Sequence, residues 1–124
     1  MEKVGDALAG FSVDSVPSDG VKVSGWGFWS VEIASAFAGA VLEACRSQAR
    51  GATLTLDLAD LKPMREEGQQ SLSRVLRAAP GLGISAISIA TTNPLTRLQL
   101  VRLASESGTA VRWLSGSTAV ARDA

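Results

Sequence analysis

From residue 11 onward apolar side chains fall at Phe11, Val13 and Val16, then at Val21 and Val23, and run into Trp26, Phe28 and Trp29. Between the two sets, Pro17-Ser18-Asp19-Gly20 puts proline, aspartate and glycine where turn dihedrals favour them, so the pattern predicts an antiparallel β-hairpin. From Ser30 the period changes. Ile33, Phe37, Val41 and Cys45 recur at every fourth position and draw one stripe along a helix, with Ser30 as its N-cap and Gly51 as its stop. Thr53 to Leu58 alternates threonine or aspartate with leucine and predicts a strand, followed by a loop over Ala59 to Met64.

A second helix is expected from about Arg65, with Gly68, Leu72, Val75, Leu76 and Ala79 at helical spacing up to Pro80. Ile84, Ala86, Ile87 and Ile89 make a nearly continuous apolar strand of the kind buried on both faces. Asn93-Pro94 supplies an N-cap and a first-turn proline for a third helix ending at Ser107 before Gly108. Ala110, Val111 and Trp113 predict a last strand. The order is ββαβαβαβ, an α/β (α+β) chain with a mixed sheet, an N-terminal hairpin and right-handed helical crossovers. One domain is expected over residues 1–114, with 115–124 as a flexible tail.

Composition narrows the chemistry. With 124 residues, 46% hydrophobic and 19% charged, the chain can bury a core. Lys+Arg and Asp+Glu stand at 12 each, which removes the bulk attraction to a phosphate backbone, so no nucleic-acid partner is expected. No histidine and one cysteine exclude an intramolecular disulfide, a Cys/His zinc site and any histidine-dependent catalytic triad. The polar start and the charges Glu43 and Arg46 within the most apolar stretch predict a cytoplasmic protein with no secretory signal and no transmembrane segment. Cys45, on the apolar stripe, reads as a buried small hydrophobe.

Several side chains are candidates for contact. Trp26, Phe28 and Trp29 cannot all face one way on a strand, so the aromatic run is either a core element or an anchor for a partner or ligand. Asp57 and Asp60 end a strand where ligands of α/β sheets gather. Glu66 and Glu67 place negative charge in a helix's first turn, which also stabilises the helix by about 0.3–1 kcal/mol each. The third helix carries Leu95, Leu98, Leu100, Val101 and Leu103, an arc wider than one core stripe, bordered by Arg97 and Arg102. Ser71 and Ser73 sit mid-helix, poorly placed as phosphate acceptors.

The hairpin, the strand ending Asp57-Leu58, the helix opening Arg65-Glu66-Glu67-Gly68, and the helix after Thr91-Thr92-Asn93-Pro94 together resemble a STAS domain, the SpoIIAA-like fold of bacterial anti-sigma-factor antagonists. The resemblance covers roughly Phe11 to Trp113. It implies a non-enzymatic regulatory domain that binds a protein partner, an anti-sigma-like kinase or another regulator, through Arg65, Glu66, Glu67, Gly68, Thr91, Thr92, Asn93, Asp57 and Asp60. In the family the tetrad reads Asp-Ser-Ser-Gly and its first serine is phosphorylated. Here that position is Glu66, which cannot accept phosphate, so the switch at the usual site is expected to be lost. No cofactor and no metal are expected, and homo-oligomerisation is left open. The alternative reading is a STAS-like domain that binds a lipid or nucleotide at Trp26 and Trp29, or that serves as a small subunit of a transport complex.

Overall fold

In the computed structural model, which describes residues 2–17 and 19–115, six strands form one mixed sheet in the order of the chain. The strands are β1 (Glu2–Gly5), β2 (Gly10–Val16), β3 (Gly20–Gly27), β4 (Thr53–Leu61), β5 (Ala86–Thr91) and β6 (Arg112–Ser115). The helices are α1 (Val31–Arg46), α2 (Glu66–Ala78) and α3 (Pro94–Ser107). β1, β2 and β3 pair antiparallel, and β3 to β6 pair parallel. Each strand–helix–strand step advances one place in the same direction, so right-handed crossovers stack all three helices on one face. The α/β class and the mixed sheet hold, with one strand more than the sequence pattern gives.

That strand is β1. Glu2-Lys3-Val4-Gly5 offers one apolar side chain between charges, and its place comes from backbone pairing with Gly10 to Val13 rather than from burial. Charges on an edge strand also discourage pairing with another chain. The hairpin expected before α1 is β2–β3, closed by a hydrogen bond from Asp19 N to Val16 O at 2.9 Å. Of its expected turn, Ser18 lies outside the described residues, as does the tail beyond Ser115.

Helix α1 begins as its sequence dictates. Ser30 Oγ accepts from Ile33 N at 3.2 Å, and Phe37, Val41 and Cys45 are fully buried along one stripe with Ala34, Ala38 and Leu42. It stops at Arg46, short of Gly51. Strand β4 runs on to Leu61 where a loop was expected from Ala59, because a register shift lets it keep pairing: Ser24 faces Asp57, but Trp26 faces Asp60. The extra residue is a β-bulge, and Asp57 Oδ1 accepts from Ala59 N at 3.3 Å inside it. Strand β5 is buried on both faces only at its end, where Ala90 is fully covered. Ile87, Ile89 and Thr91 point to the helices, while Ala86 is exposed and Ser88 half-buried on the open side. Helix α3 has both predicted ends, with Asn93 Oδ1 accepting from Leu95 N and Thr96 N at 2.9 and 3.1 Å and Gly108 closing it.

The core lies between the sheet and the helices. Leu54, Leu56 and Leu58 of β4 meet Phe37, Leu72, Leu76 and Leu100 there. Among the described residues no helix packs on the opposite sheet face, which Lys22, Ser24, Thr55, Asp57 and Ser88 line. Among the described residues no helix is long and apolar enough to cross a membrane.

Candidate functional site

Parallel strands deliver their carboxyl ends, and the helix N-termini that follow them, to one edge of the sheet. Here that edge collects the residues after β3, β4 and β5, namely Phe28, Arg65 to Glu67, and Thr92 to Leu95. The β1–β2 turn joins them, since Gly10 pairs with Trp26 and Asp6 O accepts from Trp26 Nε1 at 2.7 Å. Gly27 makes the approach feasible: its φ is +76°, and a Cβ there would collide with the Leu8 carbonyl. The edge is apolar for a surface. Leu8, Phe28 (48% exposed), Val31 and Leu95 (62%) all project from it.

Arg65 stands at the N-cap position of α2 and contributes no capping hydrogen bond. Its guanidinium instead lies over the Phe28 ring, 5.1 Å from the centroid. The turn before α2 is held by glutamines. Met64 N donates to Gln99 Oε1 at 2.8 Å, and Met64 O accepts from Gln99 Nε2 and Gln69 Nε2, both at 3.0 Å. These contacts tie the start of α2 to α3 and give the edge a fixed shape. Nothing in the local pattern distinguishes Gln69 and Gln99 from solvated helix residues, so the sequence reading did not single them out. Glu66 and Glu67 project from the first turn, with Glu66 Oε2 accepting from Gln70 Nε2 at 2.9 Å. Thr92 Oγ1 donates to Ala59 O at 2.6 Å and fastens the β5–α3 loop to β4.

The structure thus brings Arg65, Glu66, Glu67, Thr92, Asn93, Asp60 and Phe28 to one edge. It does not bring the other candidates there. Thr91 is 7% exposed and faces the helix side of β5, its Oγ1 without a hydrogen-bond partner. Gly68 is buried, because α2 packs so close to its own entry turn that a Cβ would lie 3.1 Å from Met64 Cβ. Asp57 sits on the open sheet face, where it serves the bulge.

The aromatic run divides because only Trp26 lies in β3, while Phe28 and Trp29 follow its end at Gly27. Trp29 is 2% exposed in the core, its ring 4.7 Å from Phe37 and 6.1 Å from Phe11, with Nε1 donating to Gly10 O at 2.9 Å. Trp26 lies across the sheet on the open face, with Lys3 Nζ 5.9 Å from its ring centre. A shared pocket of Trp26 and Trp29 therefore does not form. Ser71 is buried where α2 meets α1, its Oγ accepting from Ala38 N at 3.1 Å, and Ser73 Oγ accepts from Arg77 Nε at 3.1 Å. Burial, opposed by the smaller pull of Arg46, pushes the Cys45 thiol up to about 11. It is inert as a nucleophile at neutral pH. Among the described residues, no three carboxylate or thiol side chains cluster closely enough to hold a metal ion.

The wide apolar arc of α3 splits likewise. Leu100 and Leu103 enter the core, while Leu95, Leu98 (67%) and Val101 (41%) face outward. Arg97 lies over the Trp113 ring at 4.9 Å, and Arg102 turns toward α2, bonded to Gln69 and 3.6 Å from Glu106. Comparison with known proteins returns no match to a protein family, a curated protein or a solved structure.

Proposed function

We propose that this chain is a non-enzymatic, STAS-like interaction domain, a cytoplasmic bacterial regulator that docks a protein partner on the carboxyl edge of its sheet. The observation that carries the reading is the chemistry of that edge. Phe28 and Leu95 project into solvent on either side of an acidic first turn, Glu66-Glu67, on a backbone that Gln69, Gln99 and Thr92 hold rigid. Exposed aromatic and aliphatic anchors on a fixed frame suit a protein contact. The neighbouring carboxylates of Asp60, Glu66 and Glu67 suit a partner whose rim is basic. The hairpin followed by three helical crossovers supports the STAS-like assignment, in which Glu66 takes the place of a phosphorylatable serine. A permanent carboxylate at the N-terminus of α2 then fixes the domain in one binding state.

The kinase or other regulator that pairs with such a domain is the expected partner. Affinity capture with the wild-type chain, Glu66→Ser and Glu66→Lys tests the reading. The charge reversal is expected to abolish a partner interaction that the wild type makes. If both variants retain every interaction unchanged, the start of α2 is not the docking site.

A further inference from the structure

The flank of the molecule between α2 and α3 carries a second feature, which meets the carboxyl edge at Glu66 and extends away from it. A groove of about 760 Å³ runs between the two helices, with Leu103 and Ala78 among its apolar lining. Arg74 and Arg77 stand on its α2 wall and Arg102 on its α3 wall. The carboxylates in it are already engaged: Glu66 accepts from Gln70, and Glu106 faces Arg102. Arg74 and Arg77, both exposed, are in no ion pair among the described residues. The groove therefore has two guanidinium groups in want of an anion, and guanidinium is the group best shaped to meet a carboxylate. Beside it, Leu95, Leu98 and Arg102 are three and four residues apart and share one outward strip of α3. A leucine 67% exposed, one turn from Arg102 at the rim of a groove that holds Arg74 and Arg77, makes a mixed apolar and basic surface.

We propose that this groove docks an acidic segment of a protein partner, with its carboxylates on Arg74 and Arg77 and an apolar side chain on Leu98. A nucleic acid fits less well. Its regular phosphates would meet Glu66 at one end of the groove and Glu106 at the other, and the chain's charge sums to zero. A peptide can place carboxylates opposite the arginines alone. The molecule then presents two unlike surfaces, acidic at the carboxyl edge and basic along the α2–α3 flank.

The test uses a fluorescein-labelled peptide of repeating Glu-Glu-Leu-Glu, about 14 residues long to match the 13-residue α2 as a helix, titrated by anisotropy at low and physiological salt. Each exposed arginine–carboxylate pair is worth up to about fivefold, so replacing two attractions by two repulsions in R74E/R77E is expected to weaken binding on the order of tenfold. L98S, and a peptide with serine for leucine, are each expected to weaken it severalfold. Amide shifts in the ¹⁵N spectrum are expected on α2 and α3 facing the groove. Arg74 and Arg77 are exposed, so R74E/R77E should still unfold cooperatively, with Tm lowered only by the few degrees that a reversed charge in the last turn of α2 and the lost Ser73 contact cost, which excludes misfolding as the cause. The proposal is overturned by R74E/R77E affinity equal to wild type, by shifts confined to the carboxyl edge, by no binding at low salt, or by tighter binding of a single-stranded DNA of equal length.

Discussion

Trp26 and Trp29 are three residues apart, and the structure gives them opposite roles. Replacing Trp29 with alanine empties the centre of a cluster in which its ring stands 4.7 Å from Phe37 and 6.1 Å from Phe11. Truncating a buried aromatic costs about 3–5 kcal/mol. The Gly10 carbonyl, which accepts from Trp29 Nε1 at 2.9 Å, loses a partner in the interior and adds about 1 kcal/mol. In a chain of this size 1 kcal/mol moves Tm by roughly 3–5 °C, so the expected fall is about 12–30 °C. Trp26→Ala removes a half-buried ring from the open sheet face, its hydrogen bond to Asp6 O and its contact with Lys3. That loss is about 1–2 kcal/mol, or roughly 3–10 °C. Trp29→Phe separates the terms by keeping a ring and deleting the donor. Thermal unfolding followed by circular dichroism measures all three, and acrylamide quenching reports exposure independently, with Trp26 expected to be the more accessible indole. A Trp26→Ala protein less stable than Trp29→Ala would refute the assignment of the two indoles to opposite sides of the sheet.

The two helix starts offer a matched pair: Asn93→Ala should cost about 0.5–2 kcal/mol, whereas Arg65→Ser should stabilise by up to about 1 kcal/mol because that N-cap has no side-chain acceptor now. Urea midpoints moving the same way in both would contradict the capping account. Gly27→Ala should lose at least about 2 kcal/mol, because the residue needs a positive φ and its Cβ meets the Leu8 carbonyl; an unchanged midpoint would show that the β1–β2 turn does not pack there. Burial raises the Cys45 thiol from 9.0 to about 11, so the unfolded chain gives up that proton first. Stability from this group is complete below about pH 9 and falls as pH rises toward about 11, by about 2–3 kcal/mol, a loss that Cys45→Ala should escape. Parallel stability curves for the two proteins over that range would show the thiol to be hydrated.

Most of the helical frame is legible in the chain because its signals are local. Ser30 and Asn93-Pro94 cap their helices from their own side chains, and the Phe37–Val41–Cys45 stripe states which way α1 faces. What the pattern does not carry is pairing without burial. Strand β1 is held by backbone bonds to the adjacent β2 and the end of β4 by bonds to β3, and Asp60 reads as a loop residue because its pairing with Trp26 across the bulge leaves no mark in the local pattern. Strand β5 reads as doubly buried because alanine and serine tolerate a half-covered face as readily as a core. At the site, alternation predicts that the aromatic run divides, but β3 ends at Gly27 and only the packed helices decide that Trp29 goes inward. The tetrad at Arg65 opens α2 at the carboxyl edge, yet Gly68 and Thr91 serve packing there. The arginines of the α2–α3 groove sit on separate helices whose adjacency is a tertiary fact.

The docking rim is tested most directly by site-specific photo-crosslinking. A benzophenone side chain placed at Phe28 or Leu95 on the carboxyl edge, or at Thr55 on the open sheet face, would be irradiated in cells expressing the protein. A discrete adduct is expected from the two edge positions, absent from Thr55 and lost when Glu66→Lys is added. Adducts of the same protein from Thr55, or edge adducts that persist in Glu66→Lys, would contradict the account.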